Sequence, residues 1–491
     1  MDVCLEIQGE RIVLKFGDKT QSLQPLQTAI DNRISYYKYI SQQQVNILGL
    51  ASVIVMLVSM VGIVMDWVVG WMDGNLWLRL LNVVGFIATG IINIKNYADT
   101  YEMRFTNIQT DSSCYKKVMS KTAELRKISI YDQNRKQKFG TVFIDESVNM
   151  RLKENQKISL KRDKSREKKL RKYIGRIDRW QKQLKPFLYN NYINTKWKGG
   201  QFYNEKKWGI SRELNLDDEN AVYIHKTCYF DSYLTNIIPG KRLLSNRNGE
   251  VVLDYDEVAL PYDMVEEKKI LEPIGNKPRA NEPGVTTLCI TKDGYIYLWR
   301  QNPTAQSSGG LIVPSGSGSV DWNDCKKFIK EEDGFRKALI YGMERELWEE
   351  TYGNREISKK EFLQCVNTKI IGYFRWLEKA GKPEFVGISK LDTEALGYGF
   401  SPEASEVMAG YNIDAHSIKA LRRSIKKLIR KKKKKNSEKC LVEECSIPCT
   451  VALLFLQEEC KNFCRDCQKK NKCAHKHYKK CKCPFAPYDK L

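Results

Sequence analysis

The chain has 491 residues, which exceeds the usual size of one domain and predicts roughly two or three. Its formal net charge of +23 favours anionic partners such as lipid headgroups or phosphate-bearing ligands, and it excludes no fold. The cysteines before residue 440 are scattered singly, which argues against a secreted domain built on disulfides and favours free thiols in a reducing compartment.

The first 44 residues are predicted to form a short cytoplasmic segment. They lack a basic stretch followed by an apolar one, so no cleaved signal peptide is expected. Val3–Ile7 and Ile12–Phe16 flank Gln8-Gly9-Glu10, and this pattern predicts a small β-hairpin.

Residues 45–95 are predicted to form a two-helix transmembrane hairpin. Ile47–Met65 carries no charge, and Leu76–Ile94 carries only Arg79 near its start. Each run is close to the length that crosses a hydrocarbon core of about 30 Å as a helix. Lysine and arginine are plentiful on both sides of the pair, which predicts that both termini face the cytoplasm. The alternative interpretation is a pair of helices buried in a soluble domain.

Residues 96–188 are predicted to be a basic helical linker. Within them, Met150–Leu188 combines many lysines and arginines with apolar residues at helical spacing. One interpretation is a helix with one face in a core and a solvated basic face; the other is a segment drawn to anionic headgroups beside a membrane. Residues 189–283 form a mixed region of aromatic, strand-like pieces, in which Tyr229–Asn236 is interpreted as a recognition segment.

The motif that carries the most chemistry is Arg345-Glu346-Leu347-Trp348-Glu349-Glu350. On a helix, Glu346, Glu349 and Glu350 share one face, while Leu347 points away into a core. Three like charges repel one another unless a cation lies among them, and carboxylate oxygens are ligands that Mg²⁺ and Mn²⁺ favour. The alternative is a solvated acidic helix face.

The sequence around this motif predicts a sheet. Val285–Ile290 and Tyr295–Arg300 are apolar or alternating runs joined by the hairpin turn Lys292-Asp293-Gly294. A glycine-rich loop at Gly309–Gly316 leads toward the motif. Later runs are expected to complete the sheet before a closing helix at Asp414–Lys435.

Residues 436–491 are predicted to be a basic, cysteine-rich tail. Soft thiolates at short spacings favour Zn²⁺, although the spacing matches no standard zinc finger. The alternative is a loosely ordered tail with free thiols. The predicted zinc ligands are Cys460, Cys464, Cys467 and Cys473.

The motif matches the core of the Nudix box, and Gly309–Gly316 resembles the glycine loop that leads into a Nudix helix. The resemblance implies a Nudix α/β/α sandwich over residues 284–435. It also implies that Mg²⁺ or Mn²⁺ is carried by Glu346, Glu349 and Glu350. Arg345 would orient these glutamates.

Three positions depart from the Nudix pattern. Lys337 stands eight residues before the arginine, where the pattern has a glutamate. Gly353 comes one residue later than the closing glycine of the pattern. Gly316 or Gly318 matches the leading glycine only if residues 320–333 are an insertion.

The two apolar runs, the basic middle and the Nudix motif together resemble the two-transmembrane Nudix effectors (CD-NTase-associated proteins) of bacterial CBASS antiphage signalling. The resemblance implies a membrane-anchored α+β protein of the bacterial inner membrane. A cyclic nucleotide made by a partner CD-NTase would bind the Nudix region. The hairpins would then assemble as a homo-oligomer and disrupt the lipid bilayer, which kills the infected cell. Direct contact with nucleic acid is not expected.

Two other functions are compatible with the same residues. The first is a membrane-anchored Nudix hydrolase, in which Glu346, Glu349 and Glu350 hold Mg²⁺ and a metal-activated water attacks a nucleoside diphosphate derivative. The second is a non-catalytic membrane scaffold that binds a protein partner. Lys337 favours the sensor over the enzyme, because the loss of a carboxylate weakens a metal site.

Overall fold

The structure is a computed structural model that describes most of the chain between residues 105 and 469. Its described residues fall into two compact units. The described residues are 3–8, 11–16, 19–22, 31, 33–35, 58–64, 83–87, 90, 105–122, 125–132, 137–154, 156–181, 184–198, 202–216, 219–255, 259–302, 308–352, 357–397, 399–400, 407–429 and 445–469.

The first unit comprises residues 1–111, 171–204 and 241–256. Its elements are β1 (Val3–Gln8), β2 (Arg11–Phe16), β3 (Lys19–Ser22), β4 (Thr106–Thr110), α3 (Leu184–Lys198), β10 (Lys241–Ser245) and β11 (Val251–Leu253). The strands form two antiparallel three-stranded sheets, in the orders β1-β2-β3 and β11-β10-β4. The predicted N-terminal hairpin is confirmed, since Val3 pairs with Phe16.

The second unit comprises residues 112–170, 205–240 and 257–491, and α2 (Lys164–Gln181) has residues in both units. Its strands are β5 (Leu125–Asp132), β6 (Gln137–Asp145), β7 (Ser159–Arg162), β8 (Lys206–Ile210), β9 (Ala221–Cys228), β12 (Tyr262–Val265), β13 (Lys268–Leu271), β14 (Gly284–Thr291), β15 (Tyr295–Gln301), β16 (Ile312–Val313), β17 (Gly316–Ser319), β18 (Val366–Trp376), β19 (Lys382–Leu391) and β20 (Val407–Asp414). Its helices are α1 (Glu146–Lys153), α4 (Tyr229–Ser232), a π-helical turn (Tyr233–Ile237), α5 (Trp322–Lys326), α6 (Gly334–Thr351), α7 (Lys359–Cys365), a 3₁₀ turn (Leu377–Lys379), α8 (Thr393–Leu396), α9 (Ile418–Ile429) and α10 (Ile447–Lys469).

A nine-stranded mixed sheet is the centre of the second unit. Seven strands follow the order β16-β15-β14-β19-β18-β6-β5, while β17 pairs with β14 and β20 with β15. The neighbours β14 and β19 are parallel, so Val285 lies beside Phe385. The predicted hairpin of β14 and β15 is confirmed, and Gly294 ends its turn with a φ of 82°, a conformation that glycine adopts without strain.

Helices cover both faces of this sheet. Successive residues of a strand point to opposite faces, so Phe385 packs in one core and Val386 in the other. The core on the first side includes Phe335, Leu339 and Met343 of α6. The core on the other side takes its helical residues from α9 and α10. The sheet therefore fixes the position of α6, which carries the glutamate motif.

The prediction of a helical linker at residues 96–188 is wrong for its first half. Strands β5 and β6 pair with each other, and β6 also pairs with β18. The stretch Lys127-Ile128-Ser129-Ile130 alternates with the period of two that is typical of a strand, and Ile130 is buried. The later part is helical in α2, where Leu170 and Ile174 are buried.

No helix among the described residues is both long enough and apolar enough to cross a membrane. This finding contradicts the predicted membrane-anchored hairpin and the predicted two-span inner-membrane location with both termini in the cytoplasm. Of the two apolar runs, the structure describes residues 58–64, 83–87 and 90, which are helical; the rest lie outside the described residues. The longest described helix, α10, has an apolar half at Val451–Leu456 but continues into a charged half that begins at Glu458.

Helix α10 corrects the prediction that residues 436–491 are an appended tail. Its first half is buried on the sheet, and Leu453, Phe455 and Cys460 are almost fully inaccessible to solvent. The ring of Phe455 lies over Gly372, where even a β-carbon would come within 2.5 Å of the ring. This part of the predicted tail therefore belongs to the core of the second unit.

Replacing Phe455 with alanine should test the place of α10 in the core. We expect the free energy of unfolding to fall by roughly 3–5 kcal/mol, because a buried ring is lost and a cavity remains. The measurement is urea denaturation followed by fluorescence. The matched control is Lys461→Ala, an exposed position of the same helix, which should change stability by less than about 0.5 kcal/mol. Equal effects of the two substitutions would show that α10 is not part of the core.

Candidate functional site

The glutamate motif lies on a helix, as predicted, in the second half of α6. Leu347 is fully buried, and this residue anchors the helix against β17. An ideal β-carbon on Gly316 would lie 2.9 Å from the Cα of Leu347, so only glycine allows the strand and the helix to approach this closely. The close approach brings the backbone of β17 beside the glutamate side chains.

Arg345 is the centre of the site, and only 7 % of its side chain is exposed. Its Nε donates to Oδ2 of Asp324 at 2.7 Å. Its Nη1 donates to Oε2 of Glu349 at 2.6 Å, and its Nη2 donates to Oε1 of Glu346 at 2.7 Å and to the carbonyl of Ser319 at 2.9 Å. One guanidinium thus holds the glutamate helix, β17 and the segment that carries α5.

Residues 320–333 lie between β17 and α6, and they supply carboxylates to the site. Asp324 of α5 binds Arg345, and Asp321 lies 3.7 Å from the same guanidinium. On the β17 side, an ideal β-carbon on Gly318 would meet the carboxylate carbon of Glu346 at 2.2 Å. These contacts agree with the interpretation that Gly316 and Gly318 precede the helix in space and that residues 320–333 are an insertion.

Lys207 of β8 adds a second buried cation. Its residue surface is 4 % exposed, and its Nζ contacts a carboxylate oxygen of Asp321 and Oε2 of Glu205, the latter at 2.5 Å. Burial acts to lower the pKa of Lys207, but the charges of Glu205, Asp321, Glu282 and Glu346 outweigh it and hold that pKa above its usual value. Lys207 therefore stays protonated inside the cluster.

The cluster raises the pKa of two of its own carboxyl groups. Burial raises the pKa of Glu346, although the charges of Arg345 and Lys207 oppose this effect. Burial raises the pKa of Glu349 to about 7, again against the effect of Arg345. Glu349 is the more accessible group, since 43 % of its side chain is exposed. Glu349 is therefore expected to change its charge near neutral pH.

The three glutamates, as arranged, do not fit a divalent metal ion. Glu346 and Glu349 are directed at Arg345, and Oε1 of Glu350 accepts a hydrogen bond from the Ser317 amide at 3.1 Å. Their oxygens face separate N–H donors rather than one common point. In the parts of the chain that the structure describes, no group of three or more histidine, cysteine, aspartate or glutamate side chains is placed to hold a metal ion.

Lys337, which stands where the Nudix pattern has a glutamate, is not part of this cluster. Its side chain is 53 % exposed and pairs with Glu331. Lys337 lies eight positions before Arg345, which corresponds to about 12 Å along the helix axis. The other departing position, Gly353, lies outside the described residues.

The predicted zinc ligands are not brought together among the described side chains. Cys460 is buried in the core on α10. Cys464 and Cys467 lie on the same helix, and the structure describes only their backbone. Cys473 lies outside the described residues. Zinc binding by the tail stays a prediction.

The segment Tyr229–Asn236, interpreted from sequence as a recognition element, is buried in α4 and the π-helical turn. The side-chain Nδ2 of Asn236 donates to Oδ1 of Asn281 at 3.1 Å. In return, the backbone N–H of Asn281 donates to Oδ1 of Asn236 at 2.9 Å. Ser232 and Asn236 have no exposed surface. The polar residues of this segment therefore stabilise the fold from inside.

An aromatic group lies beside the C-terminal end of α6. Tyr352 follows the helix, and its ring centroid is 6.2 Å from that of Phe400. Phe400 stacks on Trp299 at 5.5 Å, and Trp299 stacks on Tyr297 at 5.8 Å. Trp299 and Tyr352 are buried, whereas Tyr297 and Phe400 keep part of their surface exposed. Tyr297 and Phe400 contact each other with their ring planes tilted by 52°, and together they offer a partly exposed aromatic surface beside the C-terminal end of α6.

Sequence reasoning missed three charged residues of the site. Lys207 lies in another strand far from the motif, and no spacing rule connects it to Arg345. Asp321 and Asp324 lie within the insertion, where the Nudix pattern has no equivalent position. The only sequence signal for Asp321 and Asp324 was the position of Gly316 and Gly318. Either glycine matches the leading glycine of the Nudix pattern only if residues 320–333 are an insertion.

No protein-family model matches this chain, and no curated protein matches it. Among solved structures, DR0079 from Deinococcus radiodurans is 13 % identical, and the match covers 33 % of this chain and 87 % of that one with a TM-score of 0.19. The MutT protein from Methanosarcina mazei Go1 is 15 % identical, and the match covers 38 % and 94 % with a TM-score of 0.21. In this region of the chain, a glycine-containing strand and a glutamate helix pack on a mixed sheet.

Gly318→Ala should disturb the centre of the site. The added β-carbon overlaps the carboxylate of Glu346, so this side chain must leave Arg345. We expect a loss of roughly 1–3 kcal/mol in the free energy of unfolding, and a smaller loss when Glu346 is already alanine. A double-mutant cycle by urea denaturation measures the difference. Simple additivity of the two substitutions would contradict a direct contact.

The pH dependence of stability should reveal Glu344, which faces Thr368 from α6. Burial raises its pKa from 4.5 to about 7, although hydrogen bonds with Thr368 act to lower it. Between these values the folded state binds more protons than the unfolded state, so stability falls as the pH rises through this window. Glu344→Gln should flatten that decline in melting curves recorded from about pH 5 to about pH 8. The exposed Glu394→Gln is the control, and an unchanged slope in Glu344→Gln would refute the assignment.

Proposed function

We propose that the Nudix-like region is a nucleotide sensor that binds its ligand and releases it intact. The observation that carries this proposal is the engagement of Glu346 and Glu349 by Arg345. A hydrolase of this class needs carboxylates that are free to hold a metal and activate water. The resemblance already implies an arginine that orients these glutamates, so two other features distinguish this site. Lys207 is a second buried cation in the cluster, and Lys337 stands where the pattern has a carboxylate. Both weaken a metal site, which supports binding without turnover.

The aromatic group supplies the second argument for a nucleotide. Purine and pyrimidine rings stack on aromatic side chains with little regard to sequence, and each such contact contributes about 1–3 kcal/mol. Tyr297 and Phe400 combine an exposed part with firm support from buried Trp299. Phosphates of the same ligand are attracted by the positive net charge of the chain.

The ligand class is taken from the Nudix-motif part of the resemblance to CBASS effectors, because the two predicted membrane spans that also carried the resemblance are contradicted. We infer that a cyclic oligonucleotide made by a partner CD-NTase is the ligand and that binding promotes a homo-oligomer. The protein is then an effector of phage defence whose activation leads to the death of the infected cell. The features that support this proposal are the Nudix-like site and its glutamate carboxylates, which accept hydrogen bonds from Arg345.

Calorimetry and chromatography together test the sensor proposal. Purified protein is titrated with cyclic di-AMP, cyclic GMP-AMP, cyclic tri-AMP and ADP-ribose, with and without Mg²⁺, and the nucleotides are then recovered. We expect a cyclic nucleotide to bind and to be recovered intact. Phe400→Ala should weaken binding by about tenfold or more, because a stacking surface is lost. Lys337→Ala, an exposed change outside the cluster, should not change affinity.

Two outcomes contradict the proposal. Mg²⁺-dependent breakdown of ADP-ribose, lost in Glu349→Gln, would identify a hydrolase instead. The absence of binding to every nucleotide in the panel would favour a scaffold that binds a protein partner. A Phe400→Ala variant with unchanged affinity would refute the aromatic surface as the base site.

A further inference from the structure

The cations inside the carboxylate cluster are side chains of the protein. We propose that Lys207 and Arg345 are the resident cations of this cluster and stand in place of a divalent metal ion, with Arg345 neutralising Glu346 and Lys207 neutralising Asp321. The cluster then needs no metal to fold. This inference holds whichever ligand the site takes, since it concerns the charges of the protein alone.

Lys207 is built into the cluster rather than attracted to its edge. Its backbone forms an isolated antiparallel β-bridge with Asp321, and its Nζ binds the side chain of the same residue. The ammonium also donates to Glu205 at 2.5 Å. The backbone bridge keeps Lys207 beside Asp321, and the two ion pairs hold its buried ammonium inside the cluster.

Arg345 covers the other side of Glu346. Three of its N–H groups are directed at Asp324, Glu346 and Glu349, and a further bond goes to the carbonyl of Ser319. Arg345 also lies 3.7 Å from Asp321, the carboxylate that binds Lys207, so the two cations share one aspartate beside Glu346. A divalent ion placed there meets direct repulsion from two buried positive charges, and this repulsion is strong because water does not screen it.

The segment at residues 320–333 supplies a carboxylate partner to each of the two cations. Asp321 connects the insertion to Lys207, and Asp324 connects it to Arg345. Both aspartates therefore balance the side-chain cations rather than add to a metal site. The positive charge of Lys207 is the element that can be removed without changing the glutamates themselves.

The test compares wild-type protein with Lys207→Met, which keeps most of the side-chain bulk and removes the charge. Thermal unfolding is recorded at about pH 8, where carboxyl groups with a pKa near 7 are ionised, in EDTA and in millimolar Mn²⁺. Free Mn²⁺ is measured in parallel by electron paramagnetic resonance. Lys206→Met is the matched control, because Lys206 is the exposed neighbour of Lys207 in β8.

We expect Mn²⁺ to change the melting temperature of the wild type and of Lys206→Met by less than about 1 °C. Lys207→Met should melt at a lower temperature in EDTA and should recover by more than about 2 °C in Mn²⁺, with at least about tenfold tighter Mn²⁺ binding than the wild type. Glu346→Gln in the Lys207→Met background should remove this gain.

Two results would overturn the proposal. One is wild-type Mn²⁺ binding tighter than about 100 µM that disappears in Glu346→Gln, since the carboxylates would then hold a metal beside Lys207. The other is a folded Lys207→Met that gains no affinity for Mn²⁺. If Lys207→Met does not fold, the wild-type titration still decides the question. No nucleotide enters the experiment, so its outcome is separate from that of the sensor proposal.

Discussion

Neutralisation of buried carboxylates by Arg345 is the constraint on which the geometry of the site depends. Carboxylates that leave water are unfavourable unless a cation and hydrogen-bond donors meet them at good geometry. The planar guanidinium offers several N–H donors in fixed directions, which is why one arginine can join β17, the insertion and the glutamate helix. A lysine at this position would supply the charge but not the directions. The glycines of β17 then follow, because a side chain at Gly318 would displace Glu346 and one at Gly316 would collide with Leu347.

The same principle extends inward from the helix. Asp321 lies beside both Arg345 and Lys207, and Glu282 is a further buried carboxyl group of the same unit. Burial raises the pKa of Glu282, while the charges of Lys382 and Lys207 oppose that effect. Lys382 in turn donates to Glu384 at 2.9 Å. Opposite charges therefore alternate from the edge of the site into the unit, and each group depends on its neighbours. Such an arrangement selects one geometry more than it adds net stability.

Local patterns predicted the local parts of this structure, and contacts between distant segments escaped prediction. The motif helix and the hairpin of β14 and β15 follow from residue periodicity and a turn sequence within short windows. Lys207 and Asp324 reach Arg345 only through the packing of separate elements, which no spacing within one segment encodes. The strand β5 was missed because the mixture of apolar and polar residues before it was interpreted as a helix that continues from the predicted membrane span. The apolar half of α10 was missed because cysteine spacing drew attention to metal chemistry instead of burial.

The burial of α10 on the sheet has a consequence for the growing chain. The strands that α10 covers leave the ribosome before it does, and until it arrives one face of the sheet, with Leu288 and Val386, has no helix from α10 over it. Apolar sheet surface that is exposed during synthesis attracts chaperones and promotes aggregation. A chain that ends between β20 and α10 would therefore leave this apolar face without its helical cover and would be prone to aggregate. Helix α10 in this way completes the folding of strands that are synthesised well before it.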